Sequence, residues 1–398
     1  MTEWVVGGAA EARIRDYRLG RLRAQLAARD LGGGLFVDPH NVRYATGSRN
    51  MQLWTMHRPA RYVFVATEGP VVMFEFQNCN HLLDGLSTID EIRPGISWFY
   101  FTSGTRVGER AGLWAQEIAD LVDAHGGGNR RLAVDKVNPE GLAALTARDV
   151  EVVDGQEPAE QARAIKSADE VAGMTHALEV CGMAFAAVRD SLVPGITEIQ
   201  AWSELNRVNG LHGGEYIETR LLSSGPRSCP WFRECSDRVI QPGDLVAVDS
   251  DMIGPGGYFA DISRTFVAGG GKPTGDQQTL YALAVEQITH NMGLLKPGIR
   301  FSEFVERCWT MPERYLPNRY MAMIHGAGLC GEYPYIAYPQ DYAVKGYDGV
   351  IEENMTLCVE SYMGAEGGTE GVKLEQLVHV TATGAVPLAD FPLTEWLE

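Results

Sequence analysis

Six side chains able to hold a metal ion stand in segments that otherwise read as core. The run 245–266, LVAVDSDMIGPGGYFADISRTF, opens as an apolar strand carrying Asp249 and Asp251. Alternate residues of a strand point the same way, so this spacing predicts both carboxylates on one face. A Gly-Pro-Gly-Gly turn follows, and the returning strand presents Asp261. Three carboxylates converging on one hairpin repel one another unless a divalent cation neutralises them. Downstream, His325 stands in Met323-Ile324-His325-Gly326-Ala327-Gly328, Glu360 ends the apolar Leu357-Cys358-Val359, and Glu375 follows Val372-Lys373-Leu374. Taken singly, a strand Asp is more often a turn or edge residue, and a lone His more often a satisfied core residue, than a ligand. Taken together, Asp251, Asp261, Glu360 and Glu375 with the His325 imidazole describe a carboxylate-dominated centre for two metal ions.

A chain of 398 residues exceeds the usual size of one compact core, so two domains are expected. The segment 11–30 places Leu19, Leu22 and Leu26 at helical spacing, and Gly32-Gly33-Gly34 leads into a strand at 35–37. Further strands are expected at 61–66, 71–76 and 131–135, with a helix at 113–125, which makes an α/β N-terminal domain. The Pro-, Glu- and Ala-rich stretch 157–168 marks the domain boundary, giving an N-terminal domain over 1–160 and a catalytic domain over 161–398. Beyond it the pattern is a helix at 171–192, then mostly strand and turn. Further helices are expected at 277–295 and 301–311, separated by Lys296-Pro297-Gly298.

Composition narrows the function class. A formal net charge of −18 repels polyanions and anionic lipid surfaces, so neither nucleic acid nor membrane is an expected partner, and a small-molecule substrate is. The seven cysteines are odd in number, scattered and never spaced as CxxC, which reads as reduced thiols in a cytoplasm. The opening Met-Thr-Glu-Trp lacks a basic stretch followed by an apolar run. No segment is expected to reach the roughly 18 apolar residues of a membrane span.

The order Asp, Asp, His, Glu, Glu, with the phrases DISRTF, HGAG and KLEQ, resembles the creatinase and aminopeptidase P superfamily, peptidase family M24. The resemblance covers the whole chain and implies a creatinase-type N-terminal domain followed by a pita-bread catalytic domain. Two departures from its peptidases stand out. Leu329 occupies the place of the second histidine in their HGxGH phrase, and Glu360 is followed by Ser361 rather than proline. Both departures, with the Asp249-x-Asp251 phrase, are similar to the dimethylsulfoniopropionate lyases of that family. So are NMQLW (50–54), ETRLLSSGPR (218–227), PWF (230–232), IAYP (336–339) and LCVE (357–360).

That likeness implies two divalent ions, iron foremost with Mn, Zn or Co as alternatives, held by Asp249, Asp251, Asp261, His325, Glu360 and Glu375. It also implies a substrate-site tyrosine at Tyr320, and cleavage of a C–S bond by β-elimination to dimethyl sulfide and acrylate. The lyases carry an Asp as the base in a phrase like LCDEWP, whereas this chain reads Leu329-Cys330-Gly331-Glu332-Tyr333-Pro334. Glycine has no side chain to accept a proton, so Glu332 or Tyr320 takes the role, or the reaction differs. A cationic leaving group is held best by aromatic faces, for which Trp54, Trp231 and Tyr333 are candidates. The alternative on the same fold is metal-dependent hydrolysis of a C–N bond, with an Xaa-Pro peptide or a creatinase-like substrate and His212 assisting. A non-catalytic binding module is a third reading, opposed by retention of the ligand set. A homodimer is expected, with segment 50–59, bearing Trp54 and His57, closing the partner's active site.

Overall fold

The structure, a computed structural model, describes residues 8–58, 60–193 and 195–393. The N-terminal tetrapeptide and Pro59, at the end of the 50–59 segment, lie outside the described residues. The chain forms two compact units that part between Arg163 and Ala164, so the 160/161 boundary read from the sequence falls inside the helix Gln156–Arg163.

The N-terminal unit is built on one six-stranded sheet. Its strands are β1 (Gly33–Phe36), β2 (Tyr62–Ala66), β3 (Val71–Glu75), β4 (Glu91–Pro94), β5 (Arg131–Val134) and β6 (Glu151–Asp154), in the order β4-β3-β2-β1-β5-β6. β1 runs parallel to β5 and antiparallel to β2. Strands β1, β2 and β3 are buried at every position and Val-, Phe- and Leu-rich, as expected where helices cover both faces. The helix Ala9–Ala28 buries Leu22 and Leu26 with Ile14. The helix Val107–His125 buries Trp114, which stacks on Trp98 with ring centroids 3.9 Å apart. The short helix Gln52–His57 carries Trp54, whose ring meets Phe76 edge-on at 5.8 Å.

The second unit holds an eight-stranded sheet and a three-stranded one. The large sheet contains β8 (Leu222–Ser224), β9 (Leu245–Asp249), β12 (Ser263–Val267), β13 (Ile324–Ala327), β14 (Gly331–Ile336), β15 (Thr356–Met363) and β16 (Val372–Thr381), in the order β14-β13-β15-β16-β12-β9-β8. β17 (Gly384–Pro387) pairs with β16. The small sheet joins β11 (Phe259–Ala260), β10 (Met252–Ile253) and β7 (Tyr216–Ile217). Helices Ala168–Ser191, Glu198–Leu211 and Gly275–Leu294 each start at a capping box, Ser167 with Glu170, Thr197 with Gln200 and Thr274 with Gln277. The helix Gly275–Leu294 packs on β15 and β16.

Ala168–Ser191 departs from the expectation that no segment approaches a membrane span, being long and apolar enough to cross one by length and composition. Met174, Leu178, Phe185 and Val188 are buried in the unit's interior, which accounts for its apolar content.

Candidate metal centre

Strand register brings the predicted ligands into one row. Asp249 on β9 lies opposite Ser263 on β12, Ser263 opposite Glu375 on β16, and Glu375 opposite Glu360 on β15. Directly opposed residues on a sheet face have their Cβ atoms roughly 5 Å apart, so four adjacent strands set three carboxylates side by side around one hydroxyl. The next strand, β13, adds His325 opposite Cys358, two residues before Glu360 and on the same face of β15. Asp261 stands between β11 and β12, where the hairpin crosses from the small sheet to the large one.

Asp251 arrives differently from the sequence expectation. β9 ends at Asp249, and Asp251 adopts a left-handed φ of +38° before the chain enters β10. Strand alternation therefore does not place the two Asp residues. A bend between two sheets turns Asp251 toward Asp261, whose Oδ1 accepts from the Asp251 N–H at 3.3 Å. Thr219 Oγ1 donates to Asp251 Oδ2. The bend is clamped by Ser250, whose hydroxyl lies 3.0 Å from both the Ala260 and Ile262 carbonyl oxygens and accepts from the Ile262 N–H at 2.9 Å.

His325 Nδ1 lies 2.9 Å from the Gly326 carbonyl oxygen, which leaves Nε2 aimed at the acids. That nitrogen is 3.3 Å from Glu360 Oε1, 3.5 Å from Glu375 Oε1 and 3.8 Å from Asp261 Oδ2. Asp261, His325, Cys358 and Glu375 each offer one ligand atom within 4.8 Å of the others. The second oxygens of Glu360 and Glu375 face Lys373, at 2.6 and 3.4 Å from its ammonium, and Asp249 Oδ2 lies 3.3 Å away. Ser263 Oγ lies 2.7 Å from Asp249 Oδ1 and 2.9 Å from Glu375 Oε2, so its one proton is shared between those carboxylates, and it accepts from Lys373 at 2.6 Å. Behind the row, fully buried Arg264 donates to the Glu375 carbonyl at 2.6 Å and to Gln376 Oε1 at 2.8 Å. It thereby ties β12 to β16.

The electrostatics call for cations. Burial, reinforced by neighbouring carboxylates, pushes Asp249 and Asp251 up to about 7 and Asp261 well above the carboxylate range. Burial also raises Glu360, again helped by Glu375. Glu375 is drawn well down, because Lys373 and His325 outweigh its burial. Its Oε1 is buried without a hydrogen-bond partner, and it faces the His325 side of the cluster. Five carboxylates against one lysine and one imidazole, with an orphaned buried oxygen, suit divalent ions better than they suit the protein alone.

Two members of the site were not anticipated. Lys373 and Cys358 stand two residues before Glu375 and Glu360, so the strand parity that signals the glutamates also signals them. Lys373 is fully buried, and its ammonium lies 4.6 Å from the centroid of the Tyr320 ring.

The two candidate bases are placed unfavourably. Glu332 faces away from the open side of β14, fully buried in an ion pair with Lys166, because it is one residue out of phase with Gly331. A Cβ at Gly331 would stand 4.0 Å from His325 Nδ1, whereas the Glu332 carboxylate is committed elsewhere. Tyr320 does border the site through Lys373, but burial and Glu360 push its phenol far above the usual range.

Of the aromatic candidates, Trp231 is a core residue, 6% exposed and stacked on Tyr362 at 6.3 Å. Tyr333 belongs to a separate group with Phe301 and Tyr347, at 6.0 and 5.9 Å. Trp54 is part of the N-terminal unit. His212 caps the exposed end of Glu198–Leu211, and Leu329 is buried in the β13–β14 turn.

Comparison with known proteins agrees with this architecture. The model of metallopeptidase family M24 matches residues 172–382, and that of the creatinase/prolidase N-terminal domain matches 18–165. The dimethylsulfoniopropionate lyase DddP of Roseovarius nubinhibens is 42% identical over 399 residues, covering 98% of this chain and 89% of that protein. The lyase of the same name from Roseobacter denitrificans is 41% identical, covering 96% of this chain and 86% of that protein. Among solved structures, the Xaa-Pro dipeptidase from Bacillus anthracis superposes with a TM-score of 0.77 at 21% identity, covering 95% of this chain and 98% of that one. These matches confirm the pita-bread fold behind a creatinase-type domain, and the chain belongs to metallopeptidase family M24.

Proposed function

We propose that this enzyme is a metal-dependent C–S lyase that converts dimethylsulfoniopropionate to dimethyl sulfide and acrylate. The observation that carries the reading is 42% identity to a dimethylsulfoniopropionate lyase across 98% of the chain. The peptidases it resembles are more distant, at 25–28% identity. The apolar Leu329 after His325-Gly326-Ala327-Gly328 supports the same reading. Leucine offers no hydrogen bond to the tetrahedral oxyanion of peptide hydrolysis.

In β-elimination a base removes the proton α to the carboxylate, the carbon–carbon double bond forms, and the C–S electron pair leaves with sulfur. The cationic sulfonium departs as neutral dimethyl sulfide. Asp249, Asp251, Asp261, His325, Glu360 and Glu375 are the residues that would hold two divalent ions. Bound there, such ions supply positive charge to the substrate carboxylate and so acidify the α-proton. The protein's own part is to fix those oxygens: Ser263 and Lys373 pin Asp249 and Glu375, and Lys373 also pins Glu360. With Gly331 lacking a side chain beside His325 and Glu332 held by Lys166, neither residue offers a carboxylate to the α-proton. Elimination by this chain is therefore expected to be slow.

Iron as the metal, a cytoplasmic location and a homodimer complete the proposal. For the dimer, the exposed Met51, Leu53, Trp54, Tyr100 and Phe101 of the N-terminal unit form apolar surface of the kind that partners cover. Light scattering at micromolar concentration should give twice the chain mass, and a fully active monomer would exclude that part. The function is tested by incubating metal-defined protein with dimethylsulfoniopropionate and with Xaa-Pro dipeptides. Dimethyl sulfide and free amino acids are followed together. Sulfide without amino acids supports the lyase, and the reverse supports a hydrolase.

A further inference from the structure

Phe232 has an unusual backbone for its type. Its φ is +75°, a region that bulky residues seldom enter, and such departures concentrate where a side chain must be aimed for a purpose. The consequence is visible on either side of the bend. Trp231 turns inward onto Tyr362, while Phe232 turns outward, 48% exposed, and lays its ring on that of Tyr320. The centroids are 5.1 Å apart and the rings are inclined by 15°.

Tyr320 links this exposed ring to the metal site. The Lys373 ammonium, 2.6 Å from Glu360 Oε2, lies over the Tyr320 ring at 4.6 Å. Tyr320 already serves one cation and is itself buried. Phe232 is the next aromatic surface outward, and among the described residues no Lys or Arg covers it. A small zwitterion whose carboxylate reached the ligand cluster would turn its positive end away from Lys373, and Phe232 is the exposed ring stacked on the tyrosine that borders that lysine. Aromatic faces attract sulfonium and quaternary ammonium groups through the ring quadrupole, and a residue with no charge does so without competing for the carboxylate.

We propose that Phe232, not Trp231, is the specificity-determining residue that receives the cationic end of the substrate. This rests on the lyase reading, and the test separates the two. Metal-loaded wild type, Phe232→Leu and Phe232→Tyr are titrated calorimetrically with 3-(trimethylammonio)propanoate and with its uncharged-tail isostere 4,4-dimethylpentanoate, and each is assayed for dimethyl sulfide. Wild type and Phe232→Tyr are expected to prefer the cation by about tenfold. Phe232→Leu should lose that preference while still binding the neutral isostere, and should raise KM for dimethylsulfoniopropionate more than it lowers kcat. Phe232→Leu that keeps the tenfold preference overturns the inference. So does equal loss of both ligands, which would mean that the ring only supports Tyr320. Absence of dimethyl sulfide from wild type counts against the lyase reading alone, because the calorimetric preference is measured without turnover.

Discussion

Gly331→Asp should raise the rate of elimination, and the structure sets the terms. A Cβ at this position would meet nothing nearer than Phe259 Cε1 at 3.9 Å and His325 Nδ1 at 4.0 Å, both ordinary contacts, and Gly331 is not among the positive-φ glycines. A strand glycine costs roughly 0.5–1 kcal/mol relative to a residue with a Cβ, so the substitution should leave folding unharmed. The new carboxylate would start from a Cβ 4.0 Å from His325 Nδ1 at the exposed end of β14, beside a histidine that keeps 19% exposure. A positioned general base contributes about 10²- to 10⁴-fold, equivalent to about 3–5 kcal/mol of barrier. Dimethyl sulfide in the headspace over wild type and variant, at equal metal content, is the assay. A folded, metal-loaded Gly331→Asp protein eliminating at the wild-type rate would refute the reasoning. So would a wild type already as fast as an efficient lyase and indifferent to Glu332→Gln and Tyr320→Phe, since the base would then lie elsewhere.

Other consequences can be checked in parallel. Asp261→Ala or Glu375→Ala should lose bound metal and activity while keeping the fold, and an Asp261→Ala protein with full metal content and normal turnover would remove Asp261 from the ligand set. Glu332→Gln should lower the melting temperature, because breaking a buried ion pair costs about 3–5 kcal/mol, while leaving kcat within a few-fold; loss of turnover at unchanged stability would restore Glu332 to the chemistry. Xaa-Pro dipeptides should be cleaved weakly or not at all, with Leu329→His as the control that could raise cleavage, and efficient prolidase turnover by wild type would overturn this. Because burial raises Asp249 and Asp251 from 3.8 to about 7, the folded metal-free protein binds more protons than the unfolded chain between those values. Its stability should fall as pH rises from about 4 to 7, and the rise in melting temperature on adding a divalent ion should grow over the same range; a metal-induced rise that shrinks with pH would contradict that sign.

The sequence reports some parts of this molecule far better than others. Helices with capping boxes at Ser167, Thr197 and Thr274, and strands such as 62–66 with unbroken apolar runs, announce themselves because local preference and burial agree. The glutamates and His325 stand out for the opposite reason, as charged or titratable groups in strands written for a core. Lys373 and Cys358 were equally legible by strand parity, yet a lone cation or thiol near acids has too many ordinary explanations to be singled out. Asp251 stood out as a ligand, but how it and Phe232 are aimed was not legible, because each is set by a left-handed backbone angle at a non-glycine residue, which leaves no signature in residue type. Trp231 and Phe232 illustrate the cost. Adjacent aromatics look interchangeable in sequence, and a single φ decides which one packs the core and which one faces the site. Glu332 shows parity at work in the other direction, since one step along β14 turns its carboxylate into the interior toward Lys166.

Metal titration most directly tests the central claim of a two-metal lyase. Protein stripped by chelation is supplied with increasing ferrous or other divalent ion at fixed dimethylsulfoniopropionate, and dimethyl sulfide and acrylate are measured together. The account predicts no product from stripped protein, equal amounts of both products once metal is restored, and a plateau near two ions per chain. Dimethyl sulfide from fully stripped protein, or metal-restored protein that yields none while releasing amino acids from Xaa-Pro dipeptides, would contradict it.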